Sequence, residues 1–570
     1  MITKNKFIFI GLASLILSSL IASNFATADI HHSNPISHQE SLRGSITSER
    51  LWWDLKHYQL SVAVNPDERY LSGTNVMTYT VLAGKESKAR ENKRLQIELQ
   101  PPMKLGTVTQ NGQLLNVEQD GYTYFISTIE PQIVGKDYTL TMEFDGKPQV
   151  AKRPPWDGGI TWKKDSNGNH FIATSNQGNG ASIWWPNKDH PYDEPDNGVD
   201  ISVEVPENLM DISNGRLVGI DEHKDRKTKT YHWKVINPIN NYAISLNIGD
   251  YVHFSEKYAG EKGELDMDYF VLRENLAKAK VQFKDVKRTM QALEHWFGPY
   301  PFYEDSYKLI EVPYLGMEHQ SAVTYGNGYQ NGYKGRDRSE TGWGLKFDFI
   351  IVHESGHEWF ANNLTNQDVA DMWIHESFTT YSENLFVEYH YGKAAGDEYI
   401  RGKRLNIAND KPMIGDYNAD RNGSSDMYDK GANMLHTIRQ IVDNDVLWRD
   451  ILRGLGKDFY HQVVTTKQVE QYMIDKSGKD LTTVFDQYLR DYRLPRLEYF
   501  VKDKVIKVRW ANAIKTFAMP IKVAINGKDQ WITPTSKWTK VSPKQAADIS
   551  NPTFVVDKDF YVSTLNVLGQ

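Results

Sequence analysis

The stretch Phe347–Glu383 reads FDFIIVHESGHEWFANNLTNQDVADMWIHESFTTYSE. His353 and His357 are four residues apart behind an apolar run, a spacing that puts both side chains on one face of a helix. Both can then bind one metal ion, while Glu354 lies beside that face and can reach a water near the metal. Catalytic zinc sites have three protein ligands and one open position, and Glu376 follows in a second apolar segment. The alternative is that the two histidines are ordinary, hydrogen-bonded residues of a buried helix.

The position of Glu376 favours the metal site, because eighteen residues separate it from His357. The segment resembles the zinc aminopeptidases related to aminopeptidase N and leukotriene hydrolase/aminopeptidase, which are gluzincin metallopeptidases. Their motif is HExxH, eighteen residues, then Glu within W-L-N-E-G-F. His375 and Ser377 stand where that motif has Asn and Gly, and neither position is a ligand. The resemblance implies one Zn²⁺ per chain, held by His353, His357 and Glu376, with Glu354 activating a zinc-bound water.

Two further segments resemble the parts of this family that hold the substrate amino group. The run Leu315-Gly316-Met317-Glu318-His319 is similar to G-A/G-M-E-N and matches it at Gly316, Met317 and Glu318. In the family this strand lies along the active-site cleft, and its Glu binds the α-ammonium group. Gln177 falls on the position of a second amine-holding residue; the alternative is a polar turn with no ligand role.

Two more side chains complete the predicted site. Tyr428 opens Tyr428-Asp429-Lys430-Gly431, which resembles the family's Y-E-K-G motif, whose Tyr points at the scissile carbonyl. The alternative is a tyrosine packed at a helix start. Glu383 follows Glu376 by two helical turns on the same face, so it can accept a hydrogen bond from a ligand histidine. A solvent-facing Glu383 is the alternative.

Composition excludes several classes of function. A formal net charge of −7 and the absence of any basic run argue against a nucleic-acid partner. The chain has no cysteine, so it has neither a cysteine zinc site nor disulfides. At 570 residues it is too long for one core and should form several domains.

The N-terminus has the pattern of a signal peptide, residues 1–28. Lys4 and Lys6 precede an apolar run over 7–21, and Ala26-Thr27-Ala28 offers the small residues that signal peptidase reads. A membrane anchor is the alternative, but about fifteen apolar residues fall short of the roughly twenty that span a bilayer. No later stretch is long enough to span one. We therefore expect an exported protein, in a bacterial periplasm or secreted.

The predicted fold class is multidomain α+β. Residues 29–48 read as a flexible polar leader, and 49–255 as an N-terminal antiparallel β-domain. The resemblance implies a thermolysin-like, mainly helical catalytic domain over 256–494. Residues 495–570 return to strands, with Asn526-Gly527 as a hairpin turn, and predict a small β-sandwich. The long C-terminal helical domain of larger family members is not expected.

Together these features predict an exported zinc aminopeptidase acting on peptides with a free N-terminus. Zinc and Tyr428 would stabilise the oxyanion, and Glu318 with Gln177 would hold the amino group. The alternatives are a zinc endopeptidase or epoxide hydrolase on the same scaffold, or an inactive zinc-containing binding protein. The sequence does not indicate the side-chain preference or the oligomeric state.

Overall fold

The computed structural model describes residues 35–84, 94–128, 131–542 and 552–568. The predicted signal peptide and the first leader residues lie outside these ranges. The rest of the predicted leader is not loose, because helices α1, His38–Gly44, and α2, Ser48–Leu51, occupy it. Arg50 explains this order: its buried guanidinium donates to the carbonyls of Arg43 and Ser45 at 2.8 and 2.7 Å.

The region after α2 is β-structure, which confirms the predicted β-rich N-terminal domain. Along the first strand Leu60, Val62 and Val64 are buried while Ser61 and Ala63 are exposed, the two-residue period of a half-buried strand. The strands are β1 Trp53–Asn65, β2 Tyr70–Val81, β3 Arg94–Glu98, β4 Lys104–Gln110, β5 Gln113–Leu114, β6 Asn116–Asp120, β7 Thr123–Ser127, β8 Asp137–Gly146, β9 Gly159–Lys164, β10 His170–Ser175, β11 Val199–Pro206, β12 Met210–Ile212, β13 Arg216–His223, β14 Thr228–Val235 and β15 Asn247–Gly249.

These strands form three sheets around one core. Their orders are β13-β14-β11-β1-β2-β8-β4-β5, β12-β15-β10-β9 and β3-β7-β6. Within these three sheets, pairing between the described strands is antiparallel as predicted, apart from β1 and β11, which run parallel with Leu60 opposite Ile201. Their buried faces form one hydrophobic cluster, which also includes Ile310, Tyr314 and Met317 from later in the chain, and most of the helical region forms a second.

The helical region begins with a mixed sheet and continues mainly as helices. Its strands are β16 Tyr251–Gly260, β17 Gly263–Leu272, β18 Tyr307–Glu311, β19 Gly316–Met317, β20 Val323–Tyr325, β21 Leu364–Asn366 and β22 Gln462–Val464. Its helices are α3 Leu276–Gln282, α4 Lys284–Phe297, α5 Phe349–Gly356, α6 Trp373–Tyr391, α7 Lys393–Gly402, α8 Asp429–Val442, α9 Asp445–Asp458, α10 Thr466–Ser477 and α11 Thr482–Arg490.

The helical region starts earlier than predicted, because it includes the five-stranded sheet β16-β17-β18-β20-β19. The predicted boundary at residue 256 lies inside β16, which pairs with β17 along its whole length. Because β17 also pairs with β18, a boundary before Tyr251 keeps this sheet intact. Sequence periodicity missed this, since the strand pair precedes the first helical pattern.

The C-terminal region has the two sheets expected of a small β-sandwich. Asn526 and Gly527 have φ of 52° and 71° and join β25 to β26, so the predicted hairpin turn is present. The sheet orders are β27-β24-β23-β29 and β26-β25-β28. The strands are β23 Arg496–Lys502, β24 Val505–Ala511, β25 Ile521–Ile525, β26 Lys528–Ile532, β27 Thr539–Val541, β28 Phe554–Val556 and β29 Ser563–Asn566. Among the residues that the structure describes, no helix has the length and apolarity to cross a membrane.

Candidate active site

Helices α5 and α6 bring the three predicted zinc ligands together. Asp348 caps α5 by accepting from the backbone N–H groups of Ile350 and Ile351, and the four apolar residues that follow it are buried. The helix thus presents His353, and His357 follows its last residue, so both histidines lie opposite Glu376 in the first turn of α6. Nε2 of His353 and of His357 lie 3.7 and 3.5 Å from Oε2 of Glu376.

The orientation of these side chains fits a zinc ion. Nδ1 of His353 lies 3.0 Å from Oε1 of Glu383, and Nδ1 of His357 lies 3.0 Å from the Phe360 carbonyl, so both Nε2 atoms face Glu376. Oε2 of Glu376 is buried and has no hydrogen-bond partner among the described residues. Around a tetrahedral zinc with bonds of about 2.0 Å, ligand atoms lie about 3.3 Å apart, close to the separations here.

Glu383 makes the histidine contact that the sequence predicted and belongs to a larger buried network. Its Oε2 accepts from the Tyr399 hydroxyl at 2.6 Å and from Nζ of Lys403 at 2.9 Å. Burial opposes ionisation of Glu383, but Lys403 and His353 lower the pKa of its carboxyl well below the usual range. Glu383 therefore stays ionised and fixes the ring of His353.

Lys403 contacts both the carboxylate of Glu383 and that of Asp429, and the sequence did not predict this role. Its Nζ lies 2.9 Å from Oδ1 of Asp429, and Arg338 lies 2.9 Å from the other oxygen of that carboxylate. Asp429 follows Tyr428, so the carboxylate behind His353 is linked to the tyrosine segment. No local motif marks Lys403, because its partners lie 20 and 26 residues away in the sequence.

Glu354 faces the same space as the ligand histidines. Its carboxylate lies close to the carboxylate of Glu318 and to the ring of His357. One oxygen or nitrogen atom from each of these three side chains lies within 4.8 Å of the others. Burial raises the pKa of the Glu354 carboxyl to about 7 against the opposing charge of His353. A Cβ at Gly316 would lie 3.0 Å from Oε1 of Glu354 and 2.7 Å from Ile350, so glycine is what lets β19 approach α5.

The predicted amine-holding residues meet beside the metal ligands. Nε2 of Gln177 donates to Oε1 of Glu318 at 2.6 Å and to Oε1 of Glu376 at 3.2 Å. The Tyr242 hydroxyl also donates to Glu318, at 3.2 Å. Tyr242 was not foreseen, since it lies in a short 3₁₀ turn with no motif around it. Met317 is buried beside Glu318.

The residues that depart from the family motif are buried. Leu315 and His319 are buried, and the two ring nitrogens of His319 have no hydrogen-bond partner among the described residues. Burial lowers the pKa of His319 to about 3, so this ring is neutral beside Glu318. His375 is also buried and accepts a hydrogen bond from the backbone of Asn366 at 2.9 Å.

Tyr428 lies across the site from the amine-holding group. Its ring is stacked on that of His353 with centroids 6.0 Å apart. Burial and the charge of Glu376 raise the pKa of the Tyr428 hydroxyl, which therefore stays protonated. Ser377, in the position of the family's Gly, donates to the Met427 carbonyl at 2.7 Å and ties this segment to α6.

With this geometry in view, comparison with known proteins identifies the helical region. Residues 281–488 match the model of the peptidase family M1 domain. The chain carries a peptidase family M1 domain. This confirms the resemblance to the family of aminopeptidase N and leukotriene hydrolase/aminopeptidase. M1 enzymes bind one catalytic zinc, and the donor set described above suits that ion.

The curated relatives match at low identity. The chain is 23% identical to leukotriene A-4 hydrolase of Xenopus laevis over 371 residues, which are 61% of this chain and 54% of that protein. It is 21% identical to aminopeptidase M1 of Arabidopsis thaliana over 358 residues, 59% of this chain and 38% of that one. The chain thus spans about half or less of the length of these relatives.

Solved structures agree on the fold. The M1 zinc metallopeptidase of Deinococcus radiodurans has a TM-score of 0.64 at 21% identity and covers 78% of this chain and 96% of its own. Aminopeptidase A of Legionella pneumophila, in complex with aspartic acid, has a TM-score of 0.72 at 16% identity. The match covers 90% of this chain and 60% of that one.

The M1 domain and the β-domain together enclose a cleft of about 610 Å³. It is lined by the metal ligands, Glu354, Glu318, Gln177 and Tyr428. Trp156, on a loop of the β-domain, lies at its rim with 64% of its surface exposed. The predicted site residues therefore share one cavity large enough for a short peptide.

Proposed function

We propose that this protein is a zinc aminopeptidase that removes the N-terminal residue of peptides. The observation that carries the proposal is the contact between Glu318 and Gln177 beside the His353–His357–Glu376 group. A carboxylate and an amide oxygen at this place provide acceptors for a substrate ammonium group next to the metal position. A structure of a mutant D. radiodurans M1 zinc metallopeptidase bound to the substrate Tyr-Ser-Ala supports a peptide in a cleft of this fold.

The amine-holding group explains why cleavage would occur at the chain end. Glu318 is 2% exposed, so its carboxylate is costly to bury without a cationic partner. A free α-ammonium group supplies that partner, whereas an internal peptide or a blocked N-terminus leaves the carboxylate unpaired. Binding at Glu318 therefore places the first peptide bond, and no later one, at the metal position.

Proton transfer falls to Glu354. When bound, zinc supplies a Lewis acid that polarises the scissile carbonyl and acidifies water. The Glu354 carboxylate takes the proton of the attacking water and delivers it to the leaving amine. Burial favours the protonated form of the Glu354 carboxyl and so helps it to hold the proton between the two steps.

Tyr428→Phe is expected to lower kcat about a hundredfold or more with little change in KM, as for loss of one oxyanion donor. The Tyr428 hydroxyl is protonated and lies by Glu376, where it can donate to an oxygen at the metal position. Steady-state kinetics on one peptide would measure both constants. A change confined to KM would instead show that Tyr428 binds the ground state.

One zinc per chain is expected in the purified protein. Removing it with a strong chelator should abolish peptide hydrolysis, and adding zinc back should restore it, because the three ligands converge on a single point. Metal analysis and activity on the same sample test this. A fully active, metal-free chain would contradict the assignment.

The function itself is tested with matched free and blocked substrates. Aminoacyl-nitroanilides should be hydrolysed and their N-acetyl forms resisted, with and without chelator as the zinc control. If N-acetylated substrates or internal peptide bonds were cleaved as fast as the free aminoacyl-nitroanilides, the result would favour an endopeptidase. Zinc-containing protein with no hydrolysis of either would favour a binding protein.

We also propose export to a bacterial periplasm or the medium. Lys4, Lys6, the apolar run after them and the small residues up to Ala28 support cleavage after Ala28. N-terminal sequencing of the chain from an extracytoplasmic fraction should begin at Asp29. Recovery of the intact chain from the cytoplasm alone would contradict export.

A further inference from the structure

A second, smaller cavity opens beside the amine-holding group. Its volume is about 50 Å³, and it shares Gln177, Gly178, Val369, Met372 and Asp420 with the main cleft. Beyond those shared walls it is lined by Tyr242, which donates to Glu318. A space of this size accommodates about three water-sized groups.

The position of this cavity suits the side chain of the first substrate residue. With the ammonium group at Glu318 and Gln177 and the scissile carbonyl at the metal ligands, the Cα atom lies between the two. Gln177 borders both the amine-holding group and the small cavity. A side chain leaving that Cα past Gln177 therefore enters this cavity.

Arg43 forms part of the wall of the small cavity. It comes from α1 and lines this cavity but not the main cleft. Its Nη1 lies 2.6 Å from Asp420, its Nε lies 3.3 Å from Asp189, and its Nη2 donates to the Gly178 carbonyl at 3.3 Å. Only 11% of its side chain is exposed.

The charge of the cavity depends on this one guanidinium. The carboxylates of Asp189, Asp368 and Asp420 line it, and Arg43 is the one Arg or Lys among its described lining residues. Without Arg43 the cavity would be larger, and the carboxylates of Asp189 and Asp420 would lose their cationic partner. Such a pocket would suit a long cationic side chain better than a short apolar one.

Helix α1 is also held by a contact outside the cavity. Both carboxylate oxygens of Glu40 accept from Arg421 at 2.8 Å. A Cβ at Gly44 would lie 2.2 Å from the backbone nitrogen of Asp420, so the glycine allows α1 to pack directly on that segment. Arg43 is therefore delivered by a fixed element of the fold.

Resting on the proposed aminopeptidase function, we infer that Arg43 closes the pocket for the first substrate side chain. It limits that pocket to small, uncharged residues such as alanine and excludes lysine and arginine. The N-terminal helix α1 thus sets substrate preference, although Arg43 itself touches no reacting atom.

The test compares lysyl- and alanyl-nitroanilide in the wild type and in Arg43→Ala. The wild type should prefer the alanyl substrate. Arg43→Ala should raise the lysyl-to-alanyl ratio of kcat/KM by about tenfold or more, because the substrate cation replaces the guanidinium. If Arg43→Ala does not fold, Arg43→Gln can be used instead, because glutamine is closer in size to arginine. The same rise in the lysyl-to-alanyl ratio of kcat/KM is expected.

His38→Ala is the matched control, since it removes an exposed contact of α1, to Asp120 at 2.7 Å, and His38 lines neither cavity. An unchanged ratio in the Arg43 variants, or an equal change in His38→Ala, would overturn the inference. A wild type that prefers lysine would overturn it as well.

A binding measurement separates this inference from the proposed function. Calorimetry with alaninamide and lysinamide reports pocket preference without turnover. If the wild type hydrolyses no nitroanilide, the aminopeptidase proposal fails, and a switch from alaninamide to lysinamide in Arg43→Ala still supports the pocket. If hydrolysis is normal, and Arg43→Ala changes neither the lysyl-to-alanyl ratio of kcat/KM nor the relative binding of lysinamide and alaninamide, the pocket inference alone fails.

Discussion

Glu354→Gln is expected to retain one zinc per chain and to lose about a hundred- to ten-thousandfold in kcat, the usual contribution of a general base. The amide has nearly the same shape as the carboxylate, so packing against Gly316 and Ile350 should be preserved. It cannot accept the proton of the attacking water. The metal ligands do not include Glu354, which is why zinc should stay bound.

Glu358→Gln provides the matched control for this experiment. Glu358 lies four residues on, is fully buried and accepts from the backbone of Ser321 at 2.8 Å, but it does not line the cleft. Burial raises the pKa of its carboxyl to about 8, so a neutral side chain is tolerated there near neutral pH. The control should keep nearly full kcat. Near-normal kcat in zinc-loaded Glu354→Gln would remove Glu354 from the proton transfer.

Local patterns were sufficient to predict the metal-binding geometry. His353 and His357 are one helical turn apart, and the capped helix α5 converts that spacing directly into a shared face. The same holds for Asn526-Gly527, where left-handed backbone at both residues forces a hairpin turn. In these cases the sequence neighbours are also the spatial neighbours.

Contacts between distant segments could not be predicted in this way. Arg43 reaches Asp189 and Asp420, which lie 146 and 377 residues away, so the polar segment around it read as a loose leader. Tyr242 and Lys403 enter the site from elements that no motif marks. No local pattern marks such pairs, because their members are far apart in the chain.

Glu318→Ala is expected to lose about 2–5 kcal/mol of transition-state binding for substrates with a free amino group. The carboxylate accepts from Gln177 and Tyr242 at 2.6 and 3.2 Å, so its removal leaves two donors facing the substrate ammonium group in place of an anion. His319 should not disturb the result, because burial lowers its pKa to about 3 and it carries no charge near neutral pH. The loss should therefore appear across neutral pH.

The decisive quantity is the ratio of kcat/KM for the free and N-acetylated forms of one peptide. In the wild type this ratio should be large, since the blocked peptide leaves Glu318 buried and unpaired. In Glu318→Ala the ratio should fall, because the group that rejected the blocked peptide is gone. Glu318→Gln is the size-matched variant and should also lower the ratio, since it is neutral. If the ratio stays unchanged in both, Glu318 does not recognise the N-terminus, and the cleft would hold peptides by contacts that do not depend on where the chain begins.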